Sequence, residues 1–256
     1  MSLPARLRSW LPPLVTAVAV LALWELAVRG FRIRPILLPP PSAIAAAVVD
    51  DAPRLLSAIW VTGRTALAGF VLGCGAGFLA AVAGTRWITL RQGLAVTGVV
   101  FGAVPIVATA PIFNLWFGAL SPWSDIAVVA LVVCFPTLIG TLTGLASAPA
   151  ASHELLATYG AAPRVVLTKL TVPASLPFVF GALRVAAALS VIAAVVAEFF
   201  GGFRDSAGFF IKTLMANADY TGAWATVAAL CAFGLLLYGA VGLAERAALP
   251  PSKGEG

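Results

Sequence analysis

The sequence predicts an all-α fold, a polytopic membrane helix bundle of about six transmembrane helices. Two observations carry that prediction. Of 256 residues, 61% are hydrophobic and 10% charged, whereas a soluble domain carries about 25% charged residues. So few polar groups cannot clothe a water-facing surface of this size. The apolar residues also fall in long runs of about 20 residues, the length needed to cross a bilayer as a helix. The runs do not alternate, which excludes a β-barrel. A cytosolic enzyme, a nucleic-acid-binding domain and a disordered chain are excluded on the same grounds.

Six spans are expected, over 11–29, 57–84, 92–116, 125–146, 177–199 and 222–243. Lipid offers the backbone no partners, so each run satisfies its own hydrogen bonds as a helix. Span 1 follows Arg6 and Arg8. It continues to Arg29 without an A-x-A cleavage site, so it is read as a retained span, not a signal peptide. After it comes Leu37-Leu38-Pro39-Pro40-Pro41-Ser42. Ser42 is the expected N-cap of a short interfacial helix over Ala43 to Val49. That helix is either a connector or a surface for a partner.

Span 2 carries Gly69, Gly73 and Gly77 at four-residue spacing, on one helix face, where another backbone can approach closely. Gly98 and Gly102 in span 3, and Gly140 and Gly144 in span 4, are expected to make similar contacts. Span 3 is interrupted by Pro105 and Pro111, with Asn114 beyond. Proline removes a backbone donor, so this span is either simply kinked or broken beside a pathway. Span 5 carries Arg184 and Glu198, fourteen residues apart and on nearly the same face, about 21 Å apart along the axis. They either border a conduit or make ion pairs with other spans. Glu25 and Arg64 lie toward the outer end of spans 1 and 2, where they either pair with each other or each snorkel separately to the interface.

Sixteen Lys and Arg against ten Asp and Glu give +6. These cations sit between apolar runs, where they set topology, so no nucleic-acid partner is expected. With both termini cytoplasmic, the inner segments hold Arg6, Arg8, Arg86, Arg91, Arg164, Lys169, Arg246 and Lys253. The outer ones hold Arg29, Arg32, Arg34, Arg54, Arg204 and Lys212. Eight against six is a weak bias, and the cluster Arg29, Arg32, Arg34 opposes it. Cys74, Cys134 and Cys231 lie far apart with no C-x-x-C, and His153 is the one histidine. Neither a disulfide framework nor a metal site is expected.

The longest polar interruption is 147–176. Ser152 is the expected cap of a short helix over His153 to Tyr159, with Gly160 at its C′ position. Pro163 suits the first turn of a second helix running to about Leu170, ended by Pro173 and Pro177. A projecting loop of this size in a tight bundle is usually functional.

This loop resembles the EAA motif of bacterial ABC importer permeases, E-A-A, three residues, G, nine residues, I-x-L-P. Glu154 stands six before Gly160, and Leu170, Val172 and Pro173 occupy the last positions. Leu155 and Leu156 replace the two alanines. The stretches LLPPPSAI, VPIVATAPIFNLWFG, VPASLPFVFGALRVA and VVAEFFGG resemble the permeases for nitrate, sulfonate, taurine and thiamine-precursor import. The resemblance implies a type I ABC importer transmembrane-domain fold in the bacterial inner membrane. It implies division into an N-terminal helix and interfacial segment (1–56), a permease core (57–246) and a cytoplasmic tail (247–256). It further implies a homodimer, two ABC ATPase subunits inside and a solute-binding protein outside. The ATPase would dock on 152–173 through Glu154, Ala157, Gly160, Ala161, Ala162, Pro163, Arg164 and Pro173. Pro105, Pro111, Asn114, Arg184 and Glu198 are the candidates for the translocation path. The chain has no G-x-x-x-x-G-K-[ST] segment; at Lys212-Thr213, Ile211 stands where the second glycine belongs. No cofactor is therefore expected in this chain, and ATP and Mg belong to the partner. The alternative is an ATP-independent secondary carrier or channel, which would need no docking loop and often carries internal repeats.

Overall fold

The computed structural model describes residues 5–85, 87–118 and 120–249, without the side chains of 5–10 and Ile88. Arg86, Lys253 and the tail beyond 249 lie outside the described residues, as do the side chains of Arg6 and Arg8. The helices are α1 (Ala5–Gly30), α2 (Pro41–Asp50), α3 (Ala52–Gly84), α4 (Ile88–Gly102), α5 (Ile106–Phe117), α6 (Pro122–Leu145), α7 (Ala150–Thr158), α8 (Pro163–Val166), α9 (Val172–Gly201), α10 (Ala207–Ala216) and α11 (Tyr220–Ala248). A π-turn over Leu167–Thr171 joins α8 to α9. Among the described residues, five helical stretches are long and apolar enough to span a membrane, and α4 with α5, bent by 97°, makes a sixth.

Glycine sets the packing at the centre. A Cβ on Gly69 would meet Val129, one on Gly73 the Ala130 carbonyl, and one on Gly77 the Cys134 carbonyl. The two indices rise together, so α3 and α6 run parallel with their backbones in close approach. Gly140 lies against Ala182, and Gly144 against the Ser175 carbonyl; there the indices oppose, and α6 and α9 are antiparallel. The core between these helices is built from small residues, among them Ala66, Val129, Val133, Ala186, Ala193 and Ala194. Gly102 departs from expectation. No atom lies within 4 Å of a Cβ placed there, because Gly102 borders a cavity shared with Phe135, Pro136 and Leu189.

Parallel α3 and α6 require the chain to return across the bundle between them. Leu94 packs beside Gly84, Gly98 beside Ile139, Phe101 stacks on Phe135, and Ser124 bonds to Asn114. The bent pair thus climbs antiparallel to α6 and crosses as one broken span. Pro105 caps α5 with extended backbone, φ −64° and ψ 115°, and its ring fixes the break.

Four local expectations are corrected. Ser42 does not cap α2; Pro40 does, with Pro41 at N1. Proline's fixed φ and missing N–H suit that place. Ser42 sits in the first turn, and its N–H and Oγ both donate to the Glu25 carboxylate, at 3.0 and 2.8 Å. Glu25 is therefore engaged with Ser42 and Arg29, not with Arg64, whose guanidinium stacks over Trp60. Likewise α7 starts two residues before Ser152, capped by Pro149. Finally, Pro173 and Pro177 end nothing. Helical structure is continuous over Pro163–Gly201, with Pro173 in the first turn of α9 and Pro177 inside it.

Candidate functional site: the projecting elbow and the bundle interior

Between Leu145 and Thr171 no residue is buried. This segment leaves α6, forms α7, turns, and re-enters as α8. The corner is a Schellman motif. Gly160 N–H donates to the Ala157 carbonyl at 2.9 Å and Ala161 N–H to the Leu156 carbonyl at 3.0 Å, satisfying carbonyls the helix end leaves open. Gly160 holds φ +66°, a left-handed conformation that L side chains resist. Ala162 is extended before Pro163, which opens α8 as a residue preceding proline must be. Glu154, Ala157, Ala162, Pro163, Arg164 and Pro173 are exposed, and Ala161 is half-buried. His153 approaches the Pro149 carbonyl through Nδ1. The sequence reading missed the apolar part of this surface. Leu155 and Tyr159, one turn apart on α7, are 57% and 78% exposed. Their bulk was the signal, passed over in favour of the alanines.

The five path candidates do not converge. Pro105 lies exposed at the bend, and Pro111 exposed within α5. A cavity of about 250 Å³ opens beside them, lined by Phe101, Gly102, Ile106, Thr109, Pro136 and Leu189, and none of the five lines it. Its wall is apolar, with the Thr109 hydroxyl as a polar group. That hydroxyl donates to the Ile106 carbonyl.

Arg184 pairs with Glu245 of α11 at 2.5 Å and lies over the Tyr238 ring. Gly242 leaves room for its guanidinium. Glu245 went unread because it falls past the end of the apolar run.

Glu198 is 1% exposed and faces other helices. Its Oε2 accepts from Thr62 Oγ1 at 2.7 Å and from Gly208 N–H at 3.1 Å. Thr62 Oγ1 in turn accepts from Ala207 N–H at 2.9 Å. One carboxylate and one hydroxyl thus hold the start of α10, whose own cap is Ser206. The approach is close: a Cβ on Gly202 or Gly208 would overlap Glu198. Asn114 accepts from Ser124 at 2.6 Å and lies against Gly201, next to the same cluster. Asp125, 3% exposed at the start of α6, is a buried acid the sequence reading did not single out. These groups tie α3, α5, α6, α9 and α10 together at the end opposite the elbow.

Residues 69–249 match the family model for the binding-protein-dependent transport system inner membrane component. The formylaminopyrimidine transport permease protein ThiX of Halalkalibacterium halodurans is 31% identical over 241 residues, covering 94% of this chain and 95% of that one. The putative aliphatic sulfonates transport permease protein SsuC of Bacillus subtilis is 24% identical over 246 residues, covering 95% and 88%. The crystal structure of an amino acid ABC transporter with histidines superposes with a TM-score of 0.65 at 13% identity, over 79% of this chain and 97% of that one. That likeness gives the fold of a type I importer transmembrane domain. The chain belongs to the binding-protein-dependent inner-membrane component family and is the membrane-spanning permease subunit of an ABC importer.

Proposed function

We propose that this permease works as a homodimer in a bacterial inner membrane, driven by two ATPase subunits that grip the elbow 152–173 on the cytoplasmic side. The observation that carries the reading is the projection 146–170, in which no residue is buried, folded to a fixed corner at Gly160. A docking surface must be accessible and shaped; this one offers Leu155 and Tyr159 as apolar anchors, flanked by Glu154 and Arg164 for charge-assisted hydrogen bonds. The start of α1 and the end of α11 lie on the elbow's side, so all three share one compartment. α11 runs antiparallel to α9, with Gly242 at Arg184, so its C-terminal end faces the elbow side, and six crossings bring α1's start there too.

A second copy supplies the missing wall of the path. The cavity at the bend is walled by α4, α5, α6 and α9 of a single chain, and two-fold symmetry would close it around an axis. An extracytoplasmic binding protein delivers the solute to the opposite mouth. ATP and Mg are used by the partner. The solute is a small, uncharged nitrogen heterocycle of the pyrimidine-precursor class. The full-length relative ThiX is named for such a solute, and the cavity wall carries no charged side chain to favour a sulfonate.

Co-purification and vesicle uptake test both parts. The tagged permease should retain its ATPase, and Gly160→Asp should lower ATP-driven uptake at least tenfold. Retention of no ATPase, with uptake unaffected by Gly160→Asp, would refute the coupling reading. An aminopyrimidine should compete for uptake where taurine does not; the reverse order would refute the solute class.

A further inference from the structure

We infer that the π-turn Leu167–Thr171 is a built-in hinge between the coupling elbow and the bundle; the inference rests on the coupling reading above. Three observations meet there. The first is the backbone itself. Within a helix otherwise continuous from Pro163 to Gly201, Val172 N–H reaches back five residues to the Leu167 carbonyl, and Thr171 Oγ1 lies 3.4 Å from the Val166 carbonyl, also five back. A π-turn carries an extra residue and poorer stacking than the α-helix around it. Two residues on, Pro173 has no N–H to give to the Lys169 carbonyl, so regular α-helical bonding cannot close over this turn.

The second is the burial boundary. Before the turn, every residue back to Ala146 is half-buried or exposed; from Thr171 onward, α9 enters the core, with Ser175 and Val179 buried. The third is the clamp on the far side. Gly144 of α6 packs against the Ser175 carbonyl and Phe178, and Ser147 Oγ reaches the Ala174 carbonyl at 3.3 Å. In α8, by contrast, Pro163, Arg164 and Val165 are exposed and Val166 is half-buried.

A helix packed on one side of a turn and uncovered on the other flexes at that turn, and the non-helical link Ala146–Pro149 between α6 and α7 lets the elbow follow. Here that turn coincides with the limit of the clamp. Load applied to α7 and α8 bends or twists the chain at 167–171 before it moves α9. Shedding the extra residue would rotate the elbow by about 100° relative to α9, so this turn also sets the angle at which the elbow is presented.

The test uses the permease–ATPase complex in lipid nanodiscs, followed by amide hydrogen exchange with and without ATP. Peptides over 163–172 should change exchange at least fivefold with nucleotide, while those over 179–197 stay constant. Unchanged exchange over 163–172 in a complex that hydrolyses ATP would overturn the hinge alone. A permease that binds no ATPase would overturn both readings. Deletion of Lys169 supplies a second arm, by restoring α-helical spacing. The variant complex should lose uptake at least tenfold, together with the nucleotide-dependent exchange change over 163–172; undiminished uptake would overturn the proposal.

Discussion

Thr62 is a single hydroxyl in an apolar helix, yet it donates to Glu198 and accepts from the start of α10. Replacing it by valine keeps the shape and leaves a buried N–H and a carboxylate oxygen each short of a partner. Unmade hydrogen bonds of this kind cost about 1–3 kcal/mol. Thr62→Val should therefore lower the SDS-unfolding midpoint in mixed micelles, and Thr62→Ser should restore most of it; equal losses in both would point to packing instead. Gly73 and Gly75 make a second contrast. A Cβ at Gly73 strikes the Ala130 carbonyl, whereas nothing lies within 4 Å of one at Gly75. Gly73→Ala should cost about 1–3 kcal/mol, the range for overpacking, measured as the same midpoint. Gly75→Ala should match the parent or exceed it slightly, since alanine favours helix. The glycine stripe was legible in the sequence because four-residue spacing is a property of helix geometry. The role of Thr62 was not, since a lone threonine in an apolar run carries no spacing signal and its partners lie 136 and 145 residues away.

At the scale of elements, the sequence spoke clearly wherever one residue's chemistry decides the backbone. Gly160 was placed at a helix C′ position and Pro163 in a first turn, and the structure has both. It misled where two prolines were read as stops. Pro173 and Pro177 persist in a helix because the first falls where a π-turn has already displaced the bonding and the second in a helix held by its neighbours. The elbow's corner has a measurable consequence. Gly160→Ala meets no atom, so its cost is the left-handed backbone alone, about 1–2 kcal/mol. It should loosen the corner without disturbing the bundle: ATPase affinity falls by about tenfold, while the unfolding midpoint stays put. Movement of that midpoint instead would mean the elbow is part of the core. The Arg184–Glu245 pair works the same way between α9 and α11. Each charge reversal alone should destabilise the bundle, and the double reversal should recover about 0.5–3 kcal/mol, the coupling expected of contacting residues.

Taken whole, the molecule is a core with an appendage. α3, α6 and α9 are interlocked through glycine and alanine, while α1 touches the rest through few groups. Its side chains are mostly exposed from Leu11 to Leu26, and it is held by the Glu25–Ser42–Arg29 cluster, the edge-on contact of Trp24 with Trp224 and the burial of Val28. The family model likewise matches from residue 69 onward. α2 packs with the core, since Ile44 is buried with Leu55 and Ala225, and we propose that a shorter folding unit starts at Pro39. A chain starting at Pro39 should then insert, fold with an unfolding midpoint near the parent's, and still bind the ATPase through its elbow. Its one local defect should be at α2, whose first turn loses the carboxylate that Ser42 donates to, seen as faster amide exchange over 41–45. Were the shortened chain instead to aggregate or lose its core protection, α1 would have to be counted as part of the folding unit, and the sparse contacts it makes within one chain would be the wrong measure of its role.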